Sequence, residues 1–372
     1  MPSIATRGAL SAKGYGFGMG GAGIFLWTWG RNIFGQLGLN DITDRSSPVQ
    51  VGVLTTWKTI AGGRHHTIAR KTDGTLWTWG RNAQGQLGLN DTTQRNSPAQ
   101  VGVLTTWKTI GGGQYHTIAT KTDGTLWTWG YNFAGQLGLN DITDRSSPVQ
   151  VGALTTWLAI AGGGVSHTIA TKTDGTLWTW GYNFAGLLGL NDITDRSSPV
   201  QVGALTTWLA IAGGYFHNIA VKTDGTLWTW GYNGYGSLGL GDTTQRNSPV
   251  QVGALTNWLS IASGYFHTIA VKTDGTLWTW GHNGSGQLGL GDTTYRSSPV
   301  QVGALTTWLA IAGGQYHTIA TKTDGTLWTW GGNNSGQLGL NDTTQRNSPA
   351  QVGVLTTWKT IASGYFHTIA IG

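Results

Sequence analysis

The stretch Trp77-Thr78-Trp79-Gly80 occurs seven times, its other Trp pairs being Trp27/Trp29, Trp127/Trp129, Trp178/Trp180, Trp228/Trp230, Trp278/Trp280 and Trp328/Trp330, at intervals of 50 residues and once of 51. Residues two apart in a β-strand share a side, so each pair makes one broad apolar face while Thr78 points away from it. Such a face must be covered. A period of 50 falls in the range of propeller blades and exceeds most helical or leucine-rich solenoid repeats, so the neighbouring copy is the natural cover. On this reading the Trp residues are core and the intervening Thr, as at Thr229, is far more tolerant of substitution.

The composition agrees. With 61 Gly, 21 Trp, 10% charged residues and no Glu, the chain is turn-rich and all-β, and no segment has helical periodicity. A strict repeat through most of its 372 residues argues for one domain. The absence of Cys excludes disulfides, thiolate chemistry and Cys-based zinc sites. Residues 1 to 23 lack the apolar run of a signal peptide, and no later stretch is long and apolar enough to span a bilayer, so a soluble chain without membrane insertion is expected.

Residues 1 to 23 lie outside the repeat and carry Gly14, Gly16, Gly18, Gly20, Gly21 and Gly23, which reads as a flexible arm. Ile24 to Trp29 enters the repeat part-way through, and the chain ends on His367-Thr368-Ile369-Ala370 with no Trp pair after it. The ends are complementary halves of one unit. A seven-bladed ring over residues 24 to 372, with one blade built from both ends, leaves no half-blade exposed. Within a unit, Trp57 to Ala61, His66 to Lys71, Leu76 to Gly80 and Pro98 to Val101 read as four antiparallel strands. Thr72-Asp73-Gly74-Thr75 is a tight turn, and Pro98 places the fourth strand on the outer edge.

Alternating strand direction puts the loop between strands one and two, and the long connection Asn82 to Asn96, on one side of the disc. The Thr-Asp-Gly-Thr turns and the crossings between blades lie on the other, where the copies look almost identical. The first side holds the differences. After the first strand stand Arg64-His65, Tyr115, Tyr215-Phe216, Tyr265-Phe266, Tyr316 and Tyr365-Phe366. After the third come Arg31, Arg81, Tyr131, Tyr182, Tyr232 and His282, beside Phe34, Phe133, Phe184 and Tyr235. These residues form a candidate partner-binding face, since rigid aromatics give contact area at low entropic cost. One ring of each aromatic pair is expected to pack back against the Trp face. The surplus cations Arg31, Lys58, Arg64, Arg70, Arg81 and Lys108 fall in the first third, with Lys359 across the closure, and read as a basic arc along one edge.

The run Ile261 to Gly289, IASGYFHTIAVKTDGTLWTWGHNGSGQLG, resembles the regulator of chromosome condensation repeat family in its order of Gly-aromatic-His, Asp-Gly turn, Trp-Gly-Asn and Gly-Gln-Leu-Gly. The resemblance covers residues 24 to 372 and implies a seven-bladed β-propeller. Compact, Gly-rich bacterial β-lactamase inhibitory proteins are similar in repeat style. The family's nucleotide-exchange members act through loops and insertions that recruit a small GTPase. This chain has no insertion longer than one residue, so exchange activity ranks third.

The recurring histidines, from His66 to His367, are expected to be satisfied by backbone groups, being too far apart to share one metal ion. Asp41 and Asp44 have a calcium-like look, but the other copies read NDTTQ, GDTTQ or GDTTY, so no shared ion site is expected. No singular carboxylate accompanies His65, His282 or Tyr295, and general acid–base catalysis lacks its pair. No cofactor and no enzyme activity are expected. The expected partner is a protein, with nucleic acid disfavoured. The second reading is a structural or adhesive component, of phage or cell-surface type, anchored by the N-terminal arm and touching glycan.

Overall fold

The computed structural model describes residues 24–164 and 166–372. The proposed arm, residues 1 to 23, lies outside the described residues. Seven four-stranded antiparallel sheets form the blades of a closed propeller. Blade 1 joins Thr360–Ser363 and His367–Ile371 to Leu26–Gly30 and Arg45–Gln50. Ring closure is a regular ladder, Leu26 opposite Ile371 through Gly30 opposite His367. Blade 2 is Trp57–Gly62, His66–Lys71, Leu76–Gly80 and Arg95–Gln100, innermost to outermost, and blades 3 to 7 repeat it. The outer strand begins at Arg95 rather than Pro98. A register shift between Thr78 and Gly80 lets Arg95 pair with Gly80 and places Pro98, which has no donor, in the irregularity.

The core lies between blades. At the interface of blades 1 and 2, Trp57, Ile60, Ala69 and Trp79 pack on Leu26, Ala362, Ile369 and Ile371. Trp57 meets Trp77 and Trp79 edge-on at centroid distances of 6.2 and 6.1 Å. Approach this close requires glycine opposite. Gly38 has φ +72°, and a Cβ there would sit 2.7 Å from Trp79 Nε1.

Polar groups cross the same interfaces. The Gln36 carbonyl of blade 1 accepts from Trp79 Nε1 at 2.9 Å and from Thr67 Oγ1 at 2.7 Å, both in blade 2. The recurring histidine is bound by a side chain rather than by a backbone group. His66 Nε2 lies 3.0 Å from Thr117 Oγ1 in blade 3, and the link repeats round to His367 Nε2 and Thr67 Oγ1, 3.1 Å apart. Where Asn218 replaces the threonine, its Nδ2 donates to the Leu187 carbonyl and its Oδ1 accepts from His167 Nε2 at 2.8 Å. The proton therefore sits on Nε2.

Thr78 points away from the Trp pair as expected, but not into water. It is fully buried, and its Oγ1 donates to the Leu87 carbonyl at 2.7 Å. Thr229 does the same to Leu238 at 2.9 Å, which removes the basis for expecting tolerance there.

Candidate partner-binding face

Two loops per blade converge on one face. Backbone bonds lock them together: Arg81 N donates to the His65 carbonyl at 2.8 Å, Tyr131 N to Tyr115 at 2.9 Å, and Tyr232 N to Phe216 at 2.8 Å. The long connection is held from within. In blade 2, buried Asn82 accepts from Leu87 N at 2.9 Å and donates to the carbonyls of Asp91 and Thr93 at 2.9 and 3.1 Å. Asp91 in turn takes Arg95 Nη2 at 2.6 Å and Thr93 N at 2.9 Å. Of the two aspartates that looked calcium-like, Asp41 likewise pairs with Arg45 and accepts from Thr43 N, and Asp44 accepts from Asn32 N at 2.7 Å. The Thr244 amide and then Arg246 hold the Asp242 carboxyl below its usual range. Among the described residues no cluster of three potential ligands could hold a metal ion.

At the hub, glycines and serines of all seven inner strands line a cavity of ≈ 200 Å³, rimmed by Arg64, Gln114, Tyr215, Tyr265, Gln315 and Tyr365. Tyr215 and Tyr265 stack at 3.6 Å, and Tyr365 meets Tyr265 edge-on at 5.4 Å. Burial, then hydrogen bonds with Tyr215 and Tyr365, push the Tyr265 phenol well above its ordinary range. Outside this rim an aromatic belt crosses blades 5 and 6. Phe216 stacks on Phe266 at 5.5 Å, and Tyr235 meets Phe266 at 4.7 Å and His282 at 5.0 Å. Tyr232 lies 5.9 Å from Phe216, and Tyr316 lies 5.9 Å from His282 and 6.5 Å from Phe366. The rings therefore pack on one another rather than against the Trp face. Tyr295, singular in the sequence where other copies carry Gln or Asp but not assigned there to this face, joins them 4.6 Å from His282.

On blades 3 and 4, Phe133 and Phe184 project, 71% and 50% exposed, each nearly parallel to Tyr131 or Tyr182. On blades 1 to 3, Arg64 lies over Tyr365 at 4.5 Å and donates to the Tyr115 hydroxyl at 2.8 Å. Arg31 lies over Phe366 at 5.3 Å and Arg81 over Phe34 at 5.2 Å. His65 is buried between Phe34 and Tyr365, at 5.0 and 6.1 Å, and presents no contact surface. Burial, then the neighbouring Arg64, hold its imidazole down to about 2.

The basic arc does not hold together. Arg31, Arg64 and Arg81 are on this face, whereas Lys58, Lys108 and Lys359 begin inner strands beside the opposite face and Arg70 bonds the Trp107 carbonyl there. The loop face as a whole is balanced, ten arginines against ten aspartates. Nor is the opposite face uniform. Its crossings carry Val53, Val103 and Val354 where the other four carry Ala153, Ala204, Ala254 and Ala304. The near-identity expected of that side therefore holds for the Thr-Asp-Gly-Thr turns and not for the crossings.

The regulator of chromosome condensation (RCC1) repeat matches residues 25–70, 73–120, 123–171, 174–221, 224–271, 274–321 and 324–371. A comparison with curated proteins finds no match. Among solved structures, human WBSCR16 superposes with TM-score 0.85 at 22% identity, over 94% of this chain and 99% of that one. Prp20p from Saccharomyces cerevisiae, in a structure described with its binding to Gsp1p and histones, superposes with TM-score 0.84 at 20% identity, over 94% and 91%. Yeast RCC1 (Prp20) in a complex with Kap60 gives 0.84 at 19% identity, over 94% and 89%. At these identities the likeness is one of fold.

Proposed function

Because this chain belongs to the regulator of chromosome condensation (RCC1) repeat family, we propose that it is a binding module without catalytic activity, presenting its variable aromatic face to a protein partner. One observation carries the reading. Phe133 and Phe184 stand 71% and 50% exposed on neighbouring blades of a molecule whose other large aromatics are mostly covered. Each lies within 13° of parallel to a Tyr at 6.2 Å, so covering it costs little side-chain entropy. Phe184 also meets Phe216 at 6.1 Å, which joins the projecting rings to the belt of blades 5 and 6.

Fold relatives support a protein partner in kind only, through the Gsp1p, histones and Kap60 named with Prp20p. Exchange activity has no observation of its own in this chain, whose long connections all have one length. The combined variant Phe133→Ser/Phe184→Ser tests the reading, because both rings sit outside the core. Pull-downs from native material should lose the proteins that the parent chain enriches, by roughly ten- to a hundredfold, as for interface anchors. Thermal unfolding should be unchanged. Enrichment of the same proteins by the variant would refute the proposal.

A further inference from the structure

The face opposite the aromatic loops carries a second, independent asymmetry. Among the described residues it has ten cations against six aspartates, an excess of four, while the loop face is neutral. The excess is local. On blades 4 to 7 each lysine of the second strand is matched by an aspartate two residues on, as Lys172 is by Asp174. The unmatched charges, Lys58, Lys108, Lys359 and Arg70, all belong to blades 1 to 3. The three lysines are exposed, and among the described residues none of them forms an ion pair.

The apolar positions vary with the same period. Val53, Val103 and Val354 lie five residues before Lys58, Lys108 and Lys359, and are 84%, 87% and 89% exposed. Each is followed by a leucine that is about half exposed, as Leu54 is at 46%. In the four other repeats the paired positions are Ala and Leu, so valine and lysine occur together. Three successive crossings thus present an apolar tip on the surface of the disc with a cation further along the same spoke.

We propose that this arc is a docking surface for an anionic lipid bilayer, lying on the membrane and not spanning it. Shallow apolar tips combined with diffuse lysines are what a lipid interface rewards: the tips enter the headgroup boundary and the cations meet acidic headgroups. A protein interface relies on anchors seated in pockets, usually Trp, Tyr or Arg. The exposed tips of this arc are aliphatic, and its one arginine is bonded to the Trp107 carbonyl.

The sister blades supply substitutions that the fold already accommodates. Lys58→Leu/Lys108→Leu/Lys359→Leu removes the charge, and Val53→Ala/Val103→Ala/Val354→Ala trims the tips. Flotation of the full chain with vesicles of phosphatidylcholine alone, or mixed equally with phosphatidylserine, measures retention, and Trp fluorescence checks the fold. The parent chain should prefer anionic vesicles by on the order of a hundredfold, three lysines acting near the surface, and lose that preference with added salt. The lysine variant should lose the preference. The valine variant should keep the salt dependence at several-fold weaker retention. Equal or absent retention of the parent on both vesicles would overturn the proposal, as would a lysine variant with undiminished anionic preference. Salt-sensitive binding to poly-aspartate with no binding to anionic vesicles would overturn it in favour of an acidic polypeptide.

Discussion

The three residues of a Trp-Thr-Trp strand differ in what their removal exposes. Trp230 is fully buried and its Nε1 donates to the Leu187 carbonyl at 2.9 Å. Trp230→Ala should cost about 3–5 kcal/mol, combining the lost transfer energy with a cavity the neighbouring blade cannot fill. Thr229→Val conserves shape but leaves the Leu238 carbonyl without its donor, a loss of about 1–3 kcal/mol. Trp228 keeps one edge in water under Lys222 Nζ, 3.5 Å from its ring, and Trp228→Ala should fall below Trp230→Ala. Urea unfolding of the three variants checks the order. A Thr229→Val variant as stable as the parent would show the carbonyl satisfied by other means.

At the scale of the element, strands and turns were legible because their signals are local. Trp spacing gave the pleat, Asp-Gly gave the hairpin, and Pro98 gave the outer edge. The strand ends were less legible, because the pairing of Arg95 with Gly80 depends on a register shift that no local pattern announces. Contacts distant in sequence were illegible. The histidine's partner is 51 residues away in His66–Thr117, and the loop that receives Thr78 is shaped by Asn82 and Asp91 acting together. The variable face was legible as a set of loops. Its division into covered and projecting rings was not, because His65 and Phe133 differ in what neighbouring blades place over them. Asn82 can be removed from that arrangement by itself. Asn82→Ala removes an acceptor of Leu87 N and a donor to two carbonyls at a fully buried site, and should cost about 2–4 kcal/mol. Hydrogen exchange should report lost protection at Leu87 and the flanking connection while the strands of blade 2 stay protected. Global loss would show that the connection is part of the blade's own stability.

At the scale of the whole molecule, seven buried imidazoles link every blade to the next and the last to the first. Burial holds His66, His217, His317 and His367 down to about 3 and His167 to about 4. Each folded value lies below the ordinary 6.5, so the unfolded chain binds protons first as pH falls. The stabilisation is complete above the unfolded value and is lost as pH drops toward the folded one. Within that window each histidine changes stability by up to ~1.4 kcal/mol per pH unit, and seven acting together by roughly 10. A domain stable by about 5–15 kcal/mol should therefore unfold between roughly pH 5 and 6. That lies above the range in which Asp242, already held low, begins to protonate. Urea midpoints measured from pH 8 to 4 should fall steeply below pH 6.5. His66→Gln/His217→Gln, which keeps a donor for Thr117 and Thr268 but cannot titrate, should flatten the slope by about two protons' worth. A parent chain equally stable at pH 7 and pH 4.5 would mean that the ring of imidazoles is open to protons and water, and not the sealed girdle between blades.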